Sequence, residues 1–165
     1  MTNKEQIISL LQSVKRPGMD AVIGYIEDSN YFTVNCHGHH FIGKGGVAEH
    51  SLEVYKFMKN NNPLNLPEDS IIILALCHDL GKCDKASRQF RGRGMHDMRS
   101  LLTLEYCGLE LNDNERKGIL NHSGKDYLNP LYILLGLGDC FSTGMWKVSH
   151  KKEIAARKAR RASKK

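Results

Sequence analysis

Residues 71–82 read Ile71-Ile72-Ile73-Leu74-Ala75-Leu76-Cys77-His78-Asp79-Leu80-Gly81-Lys82. An apolar run leads straight into an imidazole and a carboxylate. The run is too short to span a membrane and too apolar to face water, which predicts a buried helix. A His-Asp pair at the buried end of such a helix is costly unless something pairs with it, and a metal ion is a fitting partner. The fold and the function both follow from asking what else in the chain would gather around that pair.

Working outward, Pro67-Glu68-Asp69 suits the start of this helix, with Pro in the first turn and acids at the positive end of the dipole, and Gly81 is expected to end or bend it. Upstream, a helix is predicted from near Gly46 to about Asn60. Its stripe Val47, Val54, Tyr55 and Met58 includes His50, which therefore points inward. Before it lies Cys36-His37-Gly38-His39-His40-Phe41-Ile42-Gly43-Lys44-Gly45-Gly46, with three histidines in four residues and glycines that permit close backbone approach to a ligand. Helical spacing also marks Asn3 to Val14 and Met19 to Ile26, separated by Pro17-Gly18. Tyr31 to Val34 reads as a loop anchored by two aromatics.

Downstream, Cys83 to Met95 reads as a polar basic loop carrying Lys85, Arg88, Arg91 and Arg93. Helices are predicted from His96 to about Tyr106, from Asp113 with His122 near its end, and from Tyr127 to Phe141 with Asp139 close to its C-terminus. On the last, Gly136 and Gly138 would allow close helix packing at a cost in propensity. Helix follows helix with short connections and no internal repeat or strand-rich region, so the expected fold is an all-α, single-domain bundle of about seven helices.

The 165 residues suit one domain with a sizeable core. No apolar run is long enough for a transmembrane helix, and the first residues show no signal-peptide pattern. Five scattered cysteines read as reduced thiols, with Cys77 and Cys140 placed in apolar runs, and the expected compartment is the cytoplasm. The net charge of +6 is uneven: residues 147–165 hold nine Lys/Arg and one acid, a balance of +8, which leaves −2 for residues 1–146. The chain thus divides into a helical domain, 1–146, and a basic tail, 147–165, either an exposed helix or disordered. The tail is read as a weak nucleic-acid contact, with a solubilising terminus as the plain alternative, since no aromatic is interleaved to stack on bases.

His50, His78, Asp79, His96, His122 and Asp139 form a candidate ligand set on otherwise apolar helix faces, which a bundle can collect into one interior site. Imidazole with carboxylate suits Zn, Fe, Mn, Co or Ni. Consecutive helical residues diverge by about 100°, so His78 can bind one ion while Asp79 spans toward a second. A lone inward histidine is more often a core residue bonded to a carbonyl. The doublet and the ordered set weigh against that here.

His50, the doublet His78-Asp79 and the late Asp139, with the surrounding Gly45-Gly46-Val47-Ala48-Glu49-His50-Ser51-Leu52-Glu53-Val54 and His78-Asp79-Leu80-Gly81-Lys82, resemble the H…HD…D signature of the HD-domain metal-dependent phosphohydrolase superfamily, over roughly residues 17 to 145. The resemblance implies an HD-type helical domain with one or two divalent ions (Fe, Mn, Zn, Ni or Co, with Mg as a further candidate). His50, His78, Asp79 and Asp139 would hold the first. Asp79 would bridge to a second held also by His96 and His122. The implied reaction is hydrolysis of a phosphomonoester or phosphodiester of a nucleotide or nucleic acid by metal-activated hydroxide. Asp79 and Lys82 would be central to it, Lys82 by neutralising a phosphate oxygen. Arg91 and Arg93 are candidate phosphate clamps, and His39 and His40 candidate leaving-group acids. Two rivals share the ligand set: a diiron oxygenase of the same domain shape, and a non-catalytic nucleotide- or nucleic-acid-binding module.

Overall fold

The computed structural model describes residues 1–36, 45–83, 95–122, 128–152 and 154–156. They form seven α-helices and one 3₁₀ turn: α1 (Asn3–Ser13), α2 (Met19–Asp28), α3 (Gly46–Asn60), α4 (Glu68–Cys77), the turn Leu80–Lys82, α5 (His96–Tyr106), α6 (Asp113–Asn121) and α7 (Pro130–Ser149). No strand occurs among the described residues. The all-α bundle expected from the helical spacing is what the chain adopts. No helix among the described residues is long and apolar enough to cross a membrane.

Helix α4 is the axis. Every residue from Ser70 to Cys77 is buried, so the helix has no solvent face beyond its first turn. Around it pack α1, α3, α6 and α7. Such all-round burial needs neighbours that come close, and Gly118 of α6 supplies one approach. A Cβ there would lie 2.8 Å from Leu74 Cδ2. Tyr31, wholly buried, donates from its hydroxyl to the Leu76 carbonyl at 2.8 Å, so the short Tyr31–Val34 segment anchors onto the end of α4 as its aromatics suggest.

Helix ends follow their local chemistry. Thr2 and Glu5 make a reciprocal capping box on α1, and Asn112 with Glu115 does the same on α6. Asn129 caps α7 by accepting from Leu131 N and Tyr132 N, with Pro130 in the first turn. Glu115 does more than cap. Fully buried, it accepts both oxygens' worth of hydrogen bonds from Arg16 Nη1 (2.8 and 2.7 Å) and one from Ser70 Oγ at 2.5 Å, tying the α1–α2 link and α4 to α6.

Three details depart from the sequence reading. Helix α4 stops at Cys77 rather than carrying His78 and Asp79 as helical residues, and Asp79 has φ −103° and ψ 10° before the 3₁₀ turn. Helix α7 starts at Pro130 and runs on to Ser149, so Asp139 sits at its middle. Cys140 is exposed, although Cys77 is buried as its apolar run suggests. Beyond α7, Ile154 still packs against the core.

Candidate metal centre

The site forms where α3, the end of α4, the starts of α5, the end of α6 and the middle of α7 meet. His50 lies on the inner stripe of α3 and is wholly buried. Its Nδ1 is 3.1 Å from Ser142 Oγ on α7, which turns Nε2 toward Asp139 Oδ1 at 3.1 Å and Asp79 Oδ2 at 3.8 Å. The start of α3 is placed by Gly45, whose φ of +89° is left-handed and whose Cβ would lie 3.0 Å from the Phe32 carbonyl oxygen.

His78 caps α4. Its Nδ1 donates to the carbonyl of Ala75 (3.0 Å), with that of Leu74 at 3.2 Å, and this fixes the tautomer. Nε2 is then a lone pair in the interior, buried and without a hydrogen-bond partner among the described residues. Burial, outweighing the neighbouring Asp79, pushes this imidazole down to about 4, so it is neutral at neutral pH, the form that ligates metal.

Asp79 is almost wholly buried, and its two oxygens face different groups. Oδ2 accepts from Lys82 Nζ at 2.5 Å and Cys36 Sγ at 3.3 Å, and lies 3.5 Å from His78 Nε2. Oδ1 lies 3.7 Å from both His96 Nε2 and His122 Nε2 and makes no hydrogen bond among the described residues. Burial opposes ionisation of this carboxyl, but Lys82 and the flanking imidazoles outweigh it and hold the group well below the usual carboxylate range. Burial likewise opposes the charge on Lys82, yet Asp79 raises it above its ordinary value. Burial and Asp79 push the Cys36 thiol up, so it stays protonated and can donate.

On the far side, His122 caps α6 and donates from Nδ1 to the Ile119 carbonyl at 2.7 Å, again leaving Nε2 for the interior. That atom is 3.1 Å from His96 Nε2, on the first residue of α5. Burial lowers the His96 pKa, with Asp79 opposing. At His122 burial is outweighed by contacts with Asp79 and Asp97, and its pKa is raised. Burial would raise the Asp139 carboxyl, but its contact with His50 brings it below the ordinary value.

The 3₁₀ turn brings the two sides together. Gly81 packs so tightly on the start of α5 that a Cβ there would sit 2.0 Å from the His96 carbonyl oxygen. Ser100 of α5 accepts the Gly81 N–H at 2.8 Å and donates to the His78 carbonyl at 2.5 Å. His78 and Asp79 diverge at the C-cap of α4, where His78 keeps αR backbone and Asp79, at φ −103° and ψ 10°, leads into the turn.

All six ligands expected from the sequence converge: His50, His78 and Asp139 have donor atoms within 4.8 Å of one another, as do His78, Asp79 and His122, and His96 stands with His122 in a further group. The orphaned Nε2 of His78 and Oδ1 of Asp79, in a pocket of imidazole and carboxylate donors, fit a divalent transition-metal ion. Lys82 reaches the centre through its hydrogen bond to Asp79. His39, His40, Arg91 and Arg93 lie outside the described residues. Two members went unread in the sequence. Cys36 gave no metal-like spacing, and Asp97 was passed over, although its position beside His96 was a signal. The wall of the centre is sealed by His50, His78, Asp79 and His122, whose side chains are at most 3% exposed. Lys82, His96 and Asp139, at 13%, 25% and 31%, reach solvent.

Comparison of the chain with protein-family models, with curated proteins and with solved structures finds no match.

Proposed function

We propose that the chain is a metal-dependent phosphohydrolase of the HD type, cleaving a phosphomonoester or phosphodiester of a nucleotide or nucleic acid. The observation that carries this reading is the division of Asp79, with one oxygen turned to the His50–His78–Asp139 side and the other to the His96–His122 side. His50, His78, Asp79 and Asp139 would hold one ion, and Asp79, His96 and His122 a second. Divalent ions bound there lower the pKa of water and withdraw charge from phosphoryl oxygens.

The chain's own residues supply the rest. Backbone carbonyls hold His78 and His122 in the tautomer that offers Nε2 inward, so their donors are set before any ligand arrives. The Cys36 thiol and the Lys82 ammonium fix the rotamer of Asp79. Lys82, whose side chain is 13% exposed beside the centre, would neutralise a phosphoryl oxygen. The nucleic-acid end of the substrate range is supported by the +8 balance of residues 147–165, of which Lys147, Lys151 and Lys152 are exposed.

The test is metal analysis of the purified protein together with turnover of bis-p-nitrophenyl phosphate, nucleotides and short RNA, with Asp79→Ala as control. Ion-dependent phosphoester cleavage that Asp79→Ala abolishes is the expected result. If Asp79→Ala kept both its metal and its activity, the assignment would be wrong. Oxygen uptake by the iron-loaded protein without phosphoester cleavage would instead favour the diiron oxygenase.

A further inference from the structure

We infer that Asp97 is a direct ligand of the second metal position, completing a four-donor set with Asp79, His96 and His122. This rests on reading the centre as metal-binding. Asp97 is 4% exposed, in the first turn of α5. Its Oδ1 lies 3.0 Å from His96 Nε2 and 3.7 Å from His122 Nε2. Those two nitrogens are 3.1 Å apart, and Asp79 Oδ1 is 3.7 Å from each. The donor atoms of His96, Asp97 and His122 thus lie within 4.8 Å of one another, with Asp79 Oδ1 3.7 Å from both imidazole nitrogens.

The side of the imidazole that Asp97 faces decides its role. A carboxylate that merely orients a metal-binding histidine takes the N–H on the ring nitrogen away from the ion. Asp97 instead approaches Nε2, the nitrogen of His96 that also faces His122 and Asp79. On His122 the outer nitrogen is already given to the Ile119 carbonyl, so its Nε2 is committed inward. Asp97 stands on the ligand side of both rings.

Nor do protons satisfy the group. One proton between the two Nε2 atoms leaves the buried Asp79 Oδ1 with no hydrogen bond among the described residues. A divalent ion meets all four donors and balances the two carboxylates. Two oxygens and two nitrogens suit Mn(II), Fe(II) or Zn(II).

Mn(II) titration of the full chain, read by equilibrium dialysis and electron paramagnetic resonance, tests this. Wild type is expected to take two ions per chain and to show an exchange-coupled spectrum. Asp97→Asn, nearly isosteric, is expected to keep one ion with a mononuclear six-line spectrum and to need at least tenfold more Mn(II) for the second. Asp97→Glu, which restores a carboxylate, is expected to recover the second ion with altered coupling, a rescue that a packing role would not produce. Circular dichroism checks that each variant folds; if Asp97→Asn does not, Asp97→Glu against wild type decides. Two ions bound by Asp97→Asn at wild-type affinity would overturn the inference, as would a wild type that binds a single ion indifferent to this change. Two ions without phosphoester turnover would sink the hydrolase reading and leave Asp97 as ligand. A wild type that binds no ion would end both.

Discussion

Lys82 Nζ lies 2.5 Å from Asp79 Oδ2, while the opposite oxygen of that carboxylate faces two histidines. The lysine thus balances the buried carboxylate from one side and leaves the other open to a cation.

Lys82→Met removes the ammonium but keeps most of the side-chain volume. Ion binding is expected to survive, because Asp79 loses a competing cation rather than a ligand. Turnover is expected to fall by about 10²-fold, the usual cost of removing one charge-stabilising donor. Steady-state kinetics beside a metal titration separate the two effects. Loss of metal with the lysine would show that Lys82 holds the centre together instead of acting on substrate.

The protonation of His78 gives a pH signature in chelator-treated protein. Its folded pKa of about 4 lies below the ordinary value near 6.5. The unfolded chain therefore takes up this proton first, and the stabilising contribution, full above about 6.5, is lost as pH falls toward 4. The loss is at most about 3 kcal/mol, at ~1.4 kcal/mol per pH unit. His122, whose pKa is raised, works in the other window: its contribution is full below about 6.5 and is lost as pH rises through its folded pKa. Urea denaturation at stepped pH measures the balance. Imidazole nitrogen shifts at pH 5.5 should show His78 neutral and His122 charged.

Arg16→Met should strand Glu115. This carboxylate is fully buried and takes two of its four hydrogen bonds from Arg16, the others coming from Ser70 Oγ and Asn112 N. Breaking a buried pair from one side costs about 3–5 kcal/mol. A fall in the urea midpoint of that order is expected, larger than for any change at the exposed Lys56–Glu53 pair.

Gly81→Ala should damage both fold and site. The new methyl would collide with the His96 carbonyl. Overpacking costs about 1–3 kcal/mol, and more where backbone cannot yield. Since this contact joins the turn after Asp79 to α5, ion affinity at His96 and His122 should weaken more than at His50 and Asp139. Calorimetric metal titration would resolve two unequal losses; equal losses would mean that the contact does not set the spacing.

Much of this centre was legible in the chain. The unbroken apolar run of α4 and the periodic stripe that carries His50 are signals set by burial, and burial is what the structure shows. Asp97 escaped because an acid in the first turn of a helix already has a local explanation in the dipole. Helix α7 looked shorter because Gly144, just beyond Phe141, lowers local propensity, while Gly138 within it is needed against Val54 and Phe57 of α3. The turn at Asp79 was hidden for a similar reason. It depends on Gly81 meeting His96, a contact between residues fifteen apart whose cause lies in three-dimensional packing.

The uneven exposure of the ligands makes the centre a one-sided harbour. With His50, His78, Asp79 and His122 sealed against α4, an ion taken up by the proposed centre would have to enter and leave by the rim where Lys82, His96 and Asp139 reach solvent. The rim donors would then be the first to release it and the last to close on it, and would set its residence time.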